Sequence, residues 1–174
     1  SSVPISIVSP SFKFDILEAS NTRLIGGSIG ENYTGGHNVI VGTDLLNLET
    51  AFDNIAFGKD ALKNLKRSHS NTAIGRTALE YLDFEVTTDS YGTSSAFNFA
   101  LGANALRFCT TGKANITIAG LTQPNGKTDG TEFFTGKHNI GIGLSTLNNA
   151  KNASQNIAIG NGTASYITDG IGNI

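Results

Sequence analysis

The chain has 174 residues and a mass of 18.2 kDa, enough for one ordinary domain or an array of small repeats. Its formal charge of -2, pI near 5.9 and scattered Lys and Arg, adjacent only at Lys66-Arg67, offer no basic field for a nucleic-acid backbone. There is no apolar run long enough for a membrane span, no secretory leader pattern, and a single cysteine, Cys109, which excludes an internal disulfide or a thiolate zinc cage.

Gly accounts for 21 residues, while Met and Trp are absent. With no Met and a start at Ser1-Ser2-Val3-Pro4, the chain is expected to be a fragment of a longer protein. Residues 1–20 contain Pro4, Pro10 and the alternating stretch Phe12 to Ile16, which predicts strands that either cap residues 21–174 or join them to an upstream shaft.

From residue 21 onward one motif recurs, Asn-x-small-apolar-Gly. It appears as NVIVG at Asn38, NIAFG at Asn54, NTAIG at Asn71, NFALG at Asn98, NIGIG at Asn139 and NIAIG at Asn156. Degenerate copies start at Asn21 (NTRLIG) and Asn115 (NITIAG), each with one extra residue before its glycine, and a further copy opens at Asn173. The Asn-to-Asn steps are 17, 16, 17, 27, 17, 24, 17 and 17 residues. A near-constant period of this length predicts stacked units that each contact mainly their neighbours.

Within a unit, Ile55-Ala56-Phe57 alternates and predicts a short strand with Ile55 and Phe57 on one face and the small Ala56 on the other. Gly58 then marks a bend or a close backbone approach. In the next segments, Leu62 and Leu65, and likewise Leu79 and Leu82, stand at i, i+3 and predict one or two helical turns packed on the strand layer. The segments before each Asn are turn-rich, as in Thr34-Gly35-Gly36-His37. Two structural roles are open for the repeated Asn: a ladder of stacked side-chain amides, or a residue that tolerates the left-handed backbone conformation.

The strings FDNIAFGKDALKNL (Phe52 to Leu65), HSNTAIGRTALEYL (His69 to Leu82) and SQNIAIGNGTA (Ser154 to Ala164) resemble the NTAIG-x-x-AL repeats of trimeric surface fibres. Such repeats occur in phage tail fibres and tailspikes and in bacterial fibre adhesins, often upstream of a self-cleaving intramolecular chaperone. The resemblance covers residues 21–174. It implies a mainly β, repeat-built, β-roll or β-helix-like homotrimeric fibre segment with short helical turns, located on a virion or cell surface and attached to a cell-surface glycan.

Two steps exceed the period, through insertions at 83–92 and 121–134. Insertions in repeat arrays map to loops, which serve either as tolerated decoration or as a binding face. The first brings carboxylates beside aromatics and hydroxyls, so Asp89 and Tyr91 are candidate ligand contacts; the second contributes Asn125 and Phe133. The rival readings are a purely structural spacer and a capsule-degrading lyase or hydrolase using Asp83, Glu85 or Asp89, although a loop is a poor place to hold two carboxylates at fixed separation.

Other chemistry is not expected. Gly120 to Thr128 has the wrong glycine spacing for a phosphate loop, and the G-x-G pairs at Gly141 and Gly160 arise from the repeat glycine. His37, His69 and His138 each lie one or two residues before a motif Asn, where a trimer axis would collect three copies of one histidine; no H-x-H supports a metal, and a turn role is preferred. Cys109 reads as a small buried residue, and neither a cofactor nor catalysis is expected.

Overall fold

The computed structural model describes residues 23–25, 35–42, 49–82, 95–118, 135–147 and 149–174, with only the backbone described for 23–25. The chain is mainly β, with no α-helix among these residues. Eight strands of three residues each, β1 (Arg23–Ile25), β2 (Val39–Val41), β3 (Ile55–Phe57), β4 (Thr72–Ile74), β5 (Phe99–Leu101), β6 (Ile116–Ile118), β7 (Ile140–Ile142) and β8 (Ile157–Ile159), form one parallel sheet in strict sequence order. This arrangement is compatible with a β-helix or β-roll. Each strand is one rung, and residues pair position for position, as in Ile55↔Thr72, Ala56↔Ala73 and Phe57↔Ile74. The degenerate copies resolve differently: Arg23 pairs with Val39, which puts the extra residue of the first before its strand, whereas Ile116 pairs with Ile140, which puts that of the second after it.

The central residue of each strand from β2 to β8 faces the interior. Ile40, Ala56, Ala73, Ala100, Thr117, Gly141 and Ala158 are all buried. Apart from Ile40 they are small, and at Gly141 side chains of the opposite wall come close. A Cβ at Gly141 would stand 2.9 Å from Thr146 Oγ1 and 3.6 Å from Leu147 Cδ1. Leu62, Leu65, Leu79, Leu82, Leu106 and Leu147 fill this thin core together with Ala61, Ala78, Ala105 and Cys109. Full burial of a leucine is worth about 1.5–3 kcal/mol.

The helical turns expected after each glycine do not form. Asp60 and Leu62 take φ of 59° and 53°, and Thr77 and Leu79 take 58° and 50°, so left-handed residues interrupt any helical run. The physical reason lies in where the backbone donors go. Leu62 N–H bonds Ala78 O (3.0 Å) and Asn64 N–H bonds Glu80 O (3.1 Å) on the next rung, while Leu79 N–H bonds Ala105 O (3.0 Å) on the one after. A helix would need those donors for its own i−4 carbonyls. The i, i+3 leucine spacing survives as tight turns, closed in the first case by Leu65 N–H on Leu62 O at 3.0 Å. Left-handed leucines carry roughly 1–3 kcal/mol of strain each, which burial of their side chains offsets.

The motif asparagines form a continuous ladder, buried from Asn38 to Asn156. Nδ2 of Asn54, Asn71, Asn98, Asn115, Asn139, Asn156 and Asn173 each donates to Oδ1 of the motif Asn one rung earlier, at 2.7–3.1 Å. The backbone N–H of the same residue donates to that same oxygen, at 2.9 Å for Asn54 on Asn38. The second amide hydrogen reaches a loop carbonyl, such as Gly112 O from Asn98 (2.8 Å) or Ala153 O from Asn139 (2.7 Å). An amide both donates and accepts on one short stem; an ionised Asp only accepts, and Ser has one donor. The left-handed role falls instead to the preceding residue: His37, Asp53, Ser70, Phe97, Ala114, His138 and Gln155 all have φ between 54° and 62°.

A second ladder runs through the motif glycines. Gly75 has φ 131°, and its N–H bonds Phe57 O at 2.8 Å. A Cβ there would sit 2.5 Å from the carbonyl carbon and oxygen of Gly102, the motif glycine one rung on. Stacking of glycine on glycine therefore leaves no room for a side chain at Gly58, Gly75 or Gly143.

Candidate functional site

Small residues inward put large residues outward. The flanking positions of the strands make two columns on the solvent face of the sheet, one through Val39, Ile55 and Ile116 and the other through Phe57, Ile74 and Leu101. These are exposed; Phe57 retains 42% of its accessible surface and Ile159, at the last rung, 64%. Over the seven rungs from β2 to β8, spaced about 4.8 Å apart, the stripe is roughly 30 Å long. Isolated exposed aliphatics are ordinary, but an apolar strip of this length, interrupted in the first column only by Thr72, marks an interaction surface.

The wall of turns carries a polar and aromatic cluster. Arg107 Nε donates to Glu80 Oε2, Tyr81 and Phe108 stack with centroids 5.3 Å apart, and the guanidinium lies 5.8 Å and 5.1 Å from their respective ring centroids. Because the cation is neutralised by Glu80, the cluster holds two rungs together across a 27-residue gap in sequence.

The ridge just before the Asn ladder carries the third group. Phe97, more than half exposed at 52%, stands perpendicular to the His69 ring with centroids 5.2 Å apart, and Lys113 Nζ lies over its ring, 5.9 Å from the centroid. Further up the ridge His37 Nδ1 lies 3.5 Å from Asp53 Oδ1, and His69 Nδ1 lies 3.2 Å from Ser70 Oγ. Further down, Lys137 and His138 follow Lys113 on the next rung. The three histidines thus occupy turn positions with local partners for His37 and His69, and His138 is exposed with φ 58°. Among the described residues no group of three or more His, Cys, Asp or Glu side chains converges as a metal site. Cys109 is buried in the core.

The sequence-predicted contacts Asp89, Tyr91, Asn125 and Phe133 lie outside the described residues, as do both insertions, the carboxylates Asp83 and Glu85, and residues 1–20. Sequence reasoning passed over the ridge and the Arg107 cluster because their members belong to different units. The signal available was the shared offset from the motif Asn, which places Phe52 and His69, or Lys113 and Lys137, at the same position on adjacent rungs. No known family model, curated protein or solved structure matches the chain.

Proposed function

We propose that this chain is a repeat-built segment of a homotrimeric surface fibre, of the kind found in phage tail fibres or bacterial adhesins, and that it serves attachment to a cell-surface glycan. The observation that carries the reading is the exposed apolar stripe along β2 to β8. A single stack has a core only one leucine layer thick and leaves two columns of Ile, Val, Leu and Phe in water. Three copies packed in parallel about a common axis would bury those columns against one another at the same heights, because the register is identical on every rung. Three identical ligand sites on one particle then gain through multivalency, so each needs only weak affinity. The repeat motif and its resemblance to fibre repeats point the same way.

Sedimentation equilibrium of the 174-residue chain tests the assembly. A mass three times the 18.2 kDa of one chain is expected; a monomer at micromolar concentration contradicts the shared-axis arrangement. Adsorption of the chain to cells, and its loss after enzymatic removal of surface polysaccharide, tests attachment. A spacer role draws support from the unbroken register across the 27- and 24-residue steps, since the inserted residues leave the ladder geometry unchanged. Binding to no cell-surface sugar by an otherwise trimeric chain would favour that spacer.

A further inference from the structure

We propose that the ridge formed by Phe97, Lys113, Lys137 and His138 binds a carboxylate-bearing sugar, a deepening that rests on the attachment reading above. Lys113 and Lys137 face each other across a parallel backbone bridge on neighbouring rungs. Their side chains leave the backbone about 4.8 Å apart, and like charges placed opposite each other in a sheet are destabilising. Three other cations on this stack are neutralised: Arg67 by Glu49, Arg107 by Glu80 and Lys63 by Asp60. Among the described residues neither Lys113 nor Lys137 is paired with a carboxylate. Two lysines set side by side without a carboxylate among the described residues attract an anionic group.

The remaining chemistry suits a sugar rather than a bare anion. The half-exposed Phe97 ring, perpendicular to that of His69 and with the Lys113 ammonium over it at 5.9 Å, offers apolar surface for the C–H side of a pyranose next to the charge that would take its carboxylate. His138, exposed next to Lys137, adds ring nitrogens for sugar hydroxyls. The platform is stiff at each of these residues. Phe97 N–H bonds His69 O (3.3 Å), His138 N–H bonds Lys113 O (2.8 Å), Lys137 N–H bonds Ser154 Oγ (3.1 Å) and Lys137 O accepts from Gln155 N–H (2.9 Å). A site on stacked rungs loses little order on binding, unlike one on a loop tip.

Ligand-observed NMR titration of the intact 174-residue chain with 3′-sialyllactose, trigalacturonic acid and neutral lactose tests this. At least one acidic sugar should bind about tenfold more tightly than lactose, and the stronger of the two names the source of the carboxylate. The double variant Lys113→Gln/Lys137→Gln should lower that affinity to the level of lactose, with circular dichroism and sedimentation unchanged, and Phe97→Ser should weaken the acidic sugar at constant charge. Equal affinity for lactose and the acidic sugars, retention of the preference in the double variant, or displacement of the sugar by an equal concentration of inorganic phosphate overturns the proposal. Binding of lactose alone overturns it while leaving glycan attachment standing, and binding of none of the sugars overturns it together with the attachment reading for them.

Discussion

Asn98 stands 27 residues after Asn71 in the chain and directly beside it in space, its Nδ2 and its backbone N–H both 3.0 Å from the same Asn71 oxygen. Ten more residues than the usual step separate them, yet the pair is indistinguishable from Asn115 and Asn98, which are 17 apart. The amide ladder, not the length of the intervening chain, sets the height of each rung.

Asn71→Ala should therefore be among the most damaging single changes. It strips the acceptor from two buried donors of Asn98 and removes one of the two donors to Asn54 Oδ1, the backbone N–H of residue 71 remaining. With about 1–3 kcal/mol for each buried group left unsatisfied, a loss of about 3–5 kcal/mol is expected by chemical denaturation. A loss below about 1 kcal/mol would mean that water replaces the ladder.

Two glycines with positive φ should respond differently to alanine. Gly75→Ala forces a Cβ to 2.5 Å from the backbone of Gly102 and should cost about 3 kcal/mol or more, whereas Gly172, with φ 72° and open space around it, should cost about 1 kcal/mol. Thermal unfolding of the two variants side by side checks the ordering.

At the exposed stripe, Phe57→Glu combined with Ile74→Glu places neighbouring charges on adjacent rungs of the apolar face. Assembly should fall to monomers in sedimentation while the parallel sheet persists by circular dichroism, because neither side chain contributes to the interior. Retention of the trimer in that variant would move the interface elsewhere.

Glu80 is nearly buried and Arg107 about one third exposed, so the pair is shielded more than a surface ion pair. Removing Glu80 alone, as Glu80→Ala, should cost about 1–3 kcal/mol, since it leaves the guanidinium half-buried among rings without a counter-charge. The double variant with Arg107→Met should recover part of that loss, and a double-mutant cycle by urea denaturation measures the coupling.

Where the strands begin was legible in the chain. Each of β2 to β8 starts at the residue after a motif Asn, and the alternation in Ile55-Ala56-Phe57 is realised with Ala56 on one side and Ile55 and Phe57 on the other. The ladder was one of two readings open for the asparagines. The helical turns were not legible, because i, i+3 leucines bury equally well in a helix or in a chain of tight turns; the choice depends on whether backbone donors bond within the segment or to the next rung.

The sequence by itself determined the period, the residues of the strands, and the small central residue and following glycine that most of them share, because those features depend on local chain chemistry repeated at fixed spacing. Only the tertiary structure decided which face of each strand is interior, that the left-handed turn falls on the residue before Asn, and that Phe97, Lys113 and Lys137 share a ridge. Those outcomes depend on contacts between rungs, and parallel stacking joins residues 16 to 27 positions apart that no single unit contains.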